Sequence, residues 1–194
     1  MFTTYICFYD STFEEQLLWP DQCSGNTVCL VILNLQSKSG SSSQEKNIYW
    51  LSNPSTNGQN LSALGDVRNN ARAQGAGGPT LVASVSCGRP VGDGLIFDVV
   101  VKNTEIVDSL NDNVALFTYL TIRFDSKDPT EDDRILPVWY RDNYVTLLPG
   151  ETWSTYFSIR RQSLDDTVER LPFVLIKGWN VFDQNLKFEL ESCA

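Results

Sequence analysis

Three features of the sequence predict an all-β fold. Residues 152–160 place Trp153, Thr155, Phe157 and Ile159 on one face and Ser154, Tyr156 and Ser158 on the other, the period-two signature of a half-buried strand. β-branched and aromatic residues dominate the patterned segments, while the Ala, Glu, Lys and Leu runs that build helices are few. From residue 80 onward such segments recur at short spacing with turn signals between them: 80–87, 95–103, 115–125, 135–140 continued by 144–147, 152–160, 173–178 and 185–191. About seven strands in about 115 residues is the count and spacing of an immunoglobulin-like β-sandwich. The Cys, Trp, Cys spacing of antibody domains is missing, so the architecture is expected without that signature.

The strands justify themselves in order. Leu95, Phe97, Val99 and Val101 alternate with Asp98 and Lys102, and Leu186, Phe188 and Leu190 alternate with Lys187, Glu189 and Glu191, so each strand has one wet face. Pro149 and Gly150 fit positions i+1 and i+2 of a type II turn, because Pro presets φ and Gly accepts a positive φ. The strand at 152–160 starts just after them. Before the turn, Trp139, Tyr140 and Tyr144 surround Arg141-Asp142-Asn143, which simple strand-making does not require. Adjacent residues of an extended segment point to opposite faces, so at least one of Trp139 and Tyr140 is expected outside the core. The three rings are candidate contacts for a sugar or a protein partner, since they offer flat apolar area with polar edges. The bland reading is that one or two of them fill the core. Asp142 and Asn143 are expected to hold the turn through side-chain to backbone hydrogen bonds.

The first part of the chain is different. Residues 1–52 hold three β-like runs, at 3–9, 28–35 and 47–51, with a Ser-rich turn joining the last two as a loose hairpin. The middle run, VCLVILNL, is apolar on both faces and wants cover on both sides, more than these residues supply. We therefore expect the C-terminal part of a preceding, incomplete sandwich over 1–52, a linker rich in Asn, Gly, Ser and Ala over 53–79, and the full sandwich over 80–194. The linker has room for one helical turn around 62–72.

Charge and composition exclude several functions. A net charge of -9 argues against nucleic acid and against an anionic membrane, both of which need a basic surface. The longest apolar run, 28–33, is too short to span a bilayer, and no charged-then-apolar leader follows Met1. Histidine is absent, which removes Ser-His and Cys-His nucleophiles and the most usual zinc ligand together. Five cysteines, an odd number without CxxC, are too sparse for a disulfide scaffold, and most are expected free and buried. Cys87 and Cys193 end the first and last strands of the second half, which leaves a bridge between them open. The acidic stretch 125–133 lacks the alternating ligands and central Gly of a calcium loop, and Asp165 and Asp166 read as a surface turn. No catalytic carboxylate pair, no metal and no cofactor are assigned.

Residues 135–151, ILPVWYRDNYVTLLPGE, resemble the C-terminal immunoglobulin-like domain of glycoside hydrolase family 2 enzymes, in the branch of exo-β-glucosaminidases and mannosylglycoprotein endo-β-mannosidases. Asn47-Ile48-Tyr49-Trp50-Leu51 is similar to the strand that closes the preceding domain there, Ser62-Ala63-Leu64 to the start of the linker, and Gly178-Trp179-Asn180 to a near-terminal strand. Order and approximate spacing agree over residues 28–191, while the first 26 residues match poorly. The resemblance implies a parent enzyme in which a jelly roll, a first sandwich and a (β/α)8 barrel precede this region, the barrel holding both catalytic glutamates. The chain is then expected to be a fragment with its C-terminus intact, non-catalytic, with the barrel as its partner and an oligosaccharide as a further contact. The competing reading is a free-standing carbohydrate-binding or adhesion module, and a third is a purely structural interaction domain.

Overall fold

The structure, a computed structural model, describes residues 29–36, 44–51, 65–66, 68–69, 78–106, 114–125, 133–164 and 171–188. The chain divides into two compact units, Met1–Val67 and Arg68–Ala194.

In the first unit, β1 (Cys29–Gln36) and β2 (Gln44–Leu51) form an antiparallel hairpin in unbroken register, from Cys29 opposite Leu51 to Gln36 opposite Gln44. Leu30 and Ile32 are buried and Val31 and Leu33 half-buried, so both faces of this apolar strand are covered, as its sequence demands. The run at 3–9 lies outside the described residues.

The second unit is the sandwich. One sheet runs β3 (Leu81–Val85), β5 (Gly94–Asn103), β9 (Thr152–Arg160), β7 (Val138–Tyr140), with β4 (Arg89–Val91) also paired to β5. The other runs β11 (Gln184–Lys187), β10 (Pro172–Lys177), β6 (Ala115–Phe124), β8 (Val145–Leu147). All of these pairings are antiparallel. The alternation read from sequence is the alternation of burial: Leu95, Phe97, Val99 and Val101 of β5 and Trp153, Thr155, Phe157 and Ile159 of β9 all point inward. Between the sheets Phe97 stacks on Phe157 at 5.0 Å, and Phe188 meets both rings edge-on at 4.7 and 5.6 Å. Removing a ring of this size from water contributes about 1.5–3 kcal/mol.

The sheets are tied together where β5 ends. Asn103, wholly buried, donates through Nδ2 to the Leu147 carbonyl of β8 at 3.1 Å. Its own backbone accepts from Gly150 N–H and donates to the Glu151 carbonyl, both at 2.9 Å. The Pro149-Gly150 turn is closed by Glu151 N–H donating to the Leu148 carbonyl at 3.0 Å, with Gly150 at φ 77, and the Glu151 carboxylate accepts from Leu148 N–H at 2.9 Å.

Three expectations need correction. The strand expected over 135–140 is broken: Ile135 N–H donates to the Ile122 carbonyl on β6, the Leu136–Pro137 peptide is cis, and only Val138–Tyr140 joins β9. Together with β4 this raises the sandwich to nine strands among the described residues. Gly178-Trp179-Asn180 is a bend after β10, not a strand, because Gly178 packs so closely on Val181 that a Cβ there would meet it at 2.6 Å. Cys87 is exposed and disulfide-bonded, against the general expectation of free and buried cysteines although the sequence leaves a bridge open for it, and Cys193 lies outside the described residues. Gly78 and Pro79, at the end of the stretch read as linker, are also buried.

Candidate functional site

Residues 133–147 weave between the two sheets, and that path decides where each aromatic ring goes. Phe124 N–H donates to the Asp133 carbonyl at 2.8 Å, keeping the entry on β6; the chain then crosses to β9 at 138–140 and returns to β6 at 145–147. Trp139 faces outward on the five-stranded sheet, 49% exposed, with the Arg160 guanidinium 5.4 Å from its ring. Tyr140 faces inward, its ring 6.5 Å from Phe157. Burial pushes its hydroxyl up to about 12, with a backbone hydrogen bond at Ile122 pulling the other way and Tyr144 adding a smaller upward push.

The turn is pinned on both sides. Asp142 N–H donates to Thr155 Oγ1 and that hydroxyl donates back to the Asp142 carbonyl, both at 3.3 Å, while the Asp142 carboxylate faces Arg141 at 3.3 Å. Asn143 takes the place of a strand partner for β6: its Oδ1 accepts from Leu120 N–H at 2.8 Å and its Nδ2 donates to the Leu120 carbonyl at 3.1 Å. Tyr144 follows at φ 63, which throws its ring out beside Tyr119, stacked at 4.9 Å.

Tyr144 therefore lies on the opposite sheet from Trp139, and the three rings singled out from sequence share no surface. Tyr144 instead joins a groove of about 530 Å³ with Phe117, Tyr119 and Trp179. Phe117 sits at the β-bulge between Ala115 and Thr118, at φ 49. Positive φ in a bulky non-glycine residue costs about 1–3 kcal/mol, and among the described residues both such positions are aromatic, exposed and in the same groove. Trp179 is held from behind by its N–H donating to the Leu116 carbonyl at 2.8 Å. Buried Asn180 accepts from Leu116 N–H at 2.9 Å and donates to the Val114 carbonyl at 2.8 Å. The Arg68 guanidinium lies 4.9 Å from the Trp179 ring, and Lys177 pairs with Asp183 at 2.9 Å on the same groove.

Sequence reading missed Phe117, Tyr119 and Arg68 as groove residues. Phe117-Thr118-Tyr119 does place two rings on one face of the strand predicted at 115–125, and that was the available signal. Among the described residues no group of three or more His, Cys, Asp or Glu side chains comes together to hold a metal ion. Most of the acidic stretch 125–133, together with Asp165 and Asp166, lies outside the described residues.

Comparison with known proteins gives a consistent picture. Residues 47–181 match the family described as the exo-beta-D-glucosaminidase Ig-fold domain. A mannosylglycoprotein endo-beta-mannosidase of Lilium longiflorum is 40% identical over 74 residues, covering 37% of this chain and 7% of that protein. The crystal structure of Amycolatopsis orientalis exo-chitosanase CsxA is similar over 73% of this chain and 16% of its own, with a TM-score of 0.53 and 22% identity. A structure of the exo-beta-D-glucosaminidase CsxA with a castanospermine-type inhibitor gives 0.52 and 23% over the same shares. At that identity the likeness is one of fold, and the chain spans only a small part of the length of each relative. With 47–181 matched, the chain belongs to the exo-beta-D-glucosaminidase Ig-fold domain family, an immunoglobulin-like region of glycoside hydrolase family 2 enzymes.

Proposed function

We propose that this chain is the non-catalytic C-terminal accessory region of a β-glycosidase acting on β-mannosides or β-glucosaminides, and that it braces the catalytic (β/α)8 barrel. In this reading β1 and β2 close a preceding sandwich, 53–79 is the linker, and the parent hydrolyses its substrate with retention, using a glutamate acid/base and a glutamate nucleophile in the barrel. The observation that carries it is the outer face of the five-stranded sheet. Val82, Val100, Trp139 and Tyr156 are 38–59% exposed on that face, among Ser84, Asp98, Lys102 and Ser154, a mixed surface of the kind that domain interfaces within a chain use.

The test has two arms. The chain alone should not turn over aryl β-mannoside or aryl β-glucosaminide, and turnover would overturn the non-catalytic assignment. It should also bind, in trans, a family 2 barrel chain from which the C-terminal sandwich has been removed, and Val100→Asp should abolish that binding; equal binding by the variant would move the docking face elsewhere.

A further inference from the structure

The sandwich has two edges, and they are closed in different ways. At one, residues 133–147 cross from sheet to sheet and take the backbone with them. At the other, β3 of the five-stranded sheet lies beside β11 of the four-stranded sheet. Two contacts hold the start of this second edge: Gln184 Nε2 donates to the Leu81 carbonyl at 3.1 Å, and Gly78 packs against the Asn180 carbonyl and the Phe182 ring. From there the two strands run in the same direction, so that Val85, Ser86 and Cys87 line one cavity with Lys187 and Phe188.

At its far end the edge strand is interrupted. Val85 stands opposite Val99 and Arg89 opposite Ile96, so Ser86, Cys87 and Gly88 face only Phe97 and Asp98, a β-bulge centred on the cysteine. Ser86 builds it. Its N–H donates to the Asp98 carbonyl at 2.9 Å, and its Oγ, in place of a backbone carbonyl, accepts from Asp98 N–H at 2.8 Å. Gly88 lies on the Phe97 ring, where a Cβ would come within 2.9 Å, and Phe188 meets the same ring edge-on at 4.7 Å. Cys87, beside Gly88, is exposed and disulfide-bonded.

We propose that the partner of Cys87 is Cys193, and that the bond clasps the C-terminal end of the chain to β3 and so closes the second edge. Cys7, Cys23 and Cys29 belong to the unit Met1–Val67, and Cys193 alone shares the unit of Cys87. Cys193 follows Phe188 by five residues, a reach of up to about 17 Å, and Phe188 already touches the ring on which Gly88 lies. The bond forms when both thiols give up their protons and two electrons to a disulfide-bearing oxidant, which leaves as two thiols. Such bonds persist in oxidising surroundings, so the clasp assigns the chain to an oxidising compartment. Joining residues so far apart in sequence restricts the unfolded chain, which stabilises the fold even though the bond lies at the surface. This inference stands on the edge alone and does not require the barrel.

Peptide mapping of the intact chain, made in an oxidising expression host and kept unreduced, tests the pairing. The peptide that holds Cys87 should be joined to the one that holds Cys193 and should separate from it on reduction. Cys87 joined to Cys7, Cys23 or Cys29, or alkylated as a free thiol, overturns the inference. Cys87→Ser, Cys193→Ser and the double variant should each lower the Tm by the same amount, on the order of 10 °C, because each breaks the same bond. Losses that add in the double variant overturn it. Amide exchange needs no variant: on reduction of the wild type, Leu186 and Lys187 should exchange faster while Trp139 and Tyr140, at the other edge, keep their protection. Equal acceleration at both edges, or none at Leu186 and Lys187, overturns the clasp.

Discussion

The two sheets of the sandwich are built by opposite rules. In the five-stranded sheet β5 and β9 pair without interruption from Gly94 opposite Arg160 to Lys102 opposite Thr152, and the inward residues alternate cleanly. In the four-stranded sheet β6 is bulged where it meets β8, two aromatic residues take positive φ, and side-chain amides replace missing strand partners at Leu116 and Leu120. Regular pairing concentrates stability, because every inward side chain finds the core. Irregular pairing gives up part of that and in exchange aims side chains outward. The difference suggests that one sheet supplies the frame and the other supplies a shaped surface.

The largest test of that contrast is in the frame. Phe157→Ala removes a wholly buried ring that touches Phe97 and Phe188, and should cost about 3–5 kcal/mol in urea unfolding. A cost below that of a surface change on the four-stranded sheet would break the comparison. Next comes Asn180→Ala, which strands Leu116 N–H and the Val114 carbonyl in a buried site and should cost about 1–3 kcal/mol. Its sharper signature is local: amide exchange at Leu116 should accelerate more than at Val99 of β5. The smallest effect concerns Tyr140. Its hydroxyl is raised mainly by burial above its ordinary value, so the folded state holds the proton longer than the unfolded chain. The resulting stability is complete below pH 10 and lost as pH rises toward about 12, and Tyr140→Phe should flatten that stretch of the stability profile.

Much of the frame was legible in the sequence, and the reason is locality. Period-two alternation in β5 and β9, the Pro149-Gly150 turn and the β1–β2 hairpin are all decided by residues close together in the chain. The surface was less legible. Trp139, Tyr140 and Tyr144 look like one cluster because they are near in sequence, but the crossing between sheets sends them to three different environments. That crossing rests on long-range partners, Asn143 to Leu120 and Ile135 to Ile122, which no local pattern announces. Positive φ at Tyr144 and Phe117 is equally silent, since neither residue type favours it. The opposed directions of Trp139 and Tyr140 follow from strand geometry alone; the departure of Tyr144 to the other sheet does not.

Asn103 has a mechanical consequence. A sandwich under load tends to shear, one layer sliding past the other, because its apolar core resists separation far better than sliding. The Asn103 carboxamide grips β8 from the end of β5, and its backbone grips the turn leading into β9, so a pull on either layer is shared at that point. The apolar core resists separation, and polar ties of this kind, with Gln184 of β11 donating to the Leu81 carbonyl of β3 at 3.1 Å as a second, work as rivets against sliding.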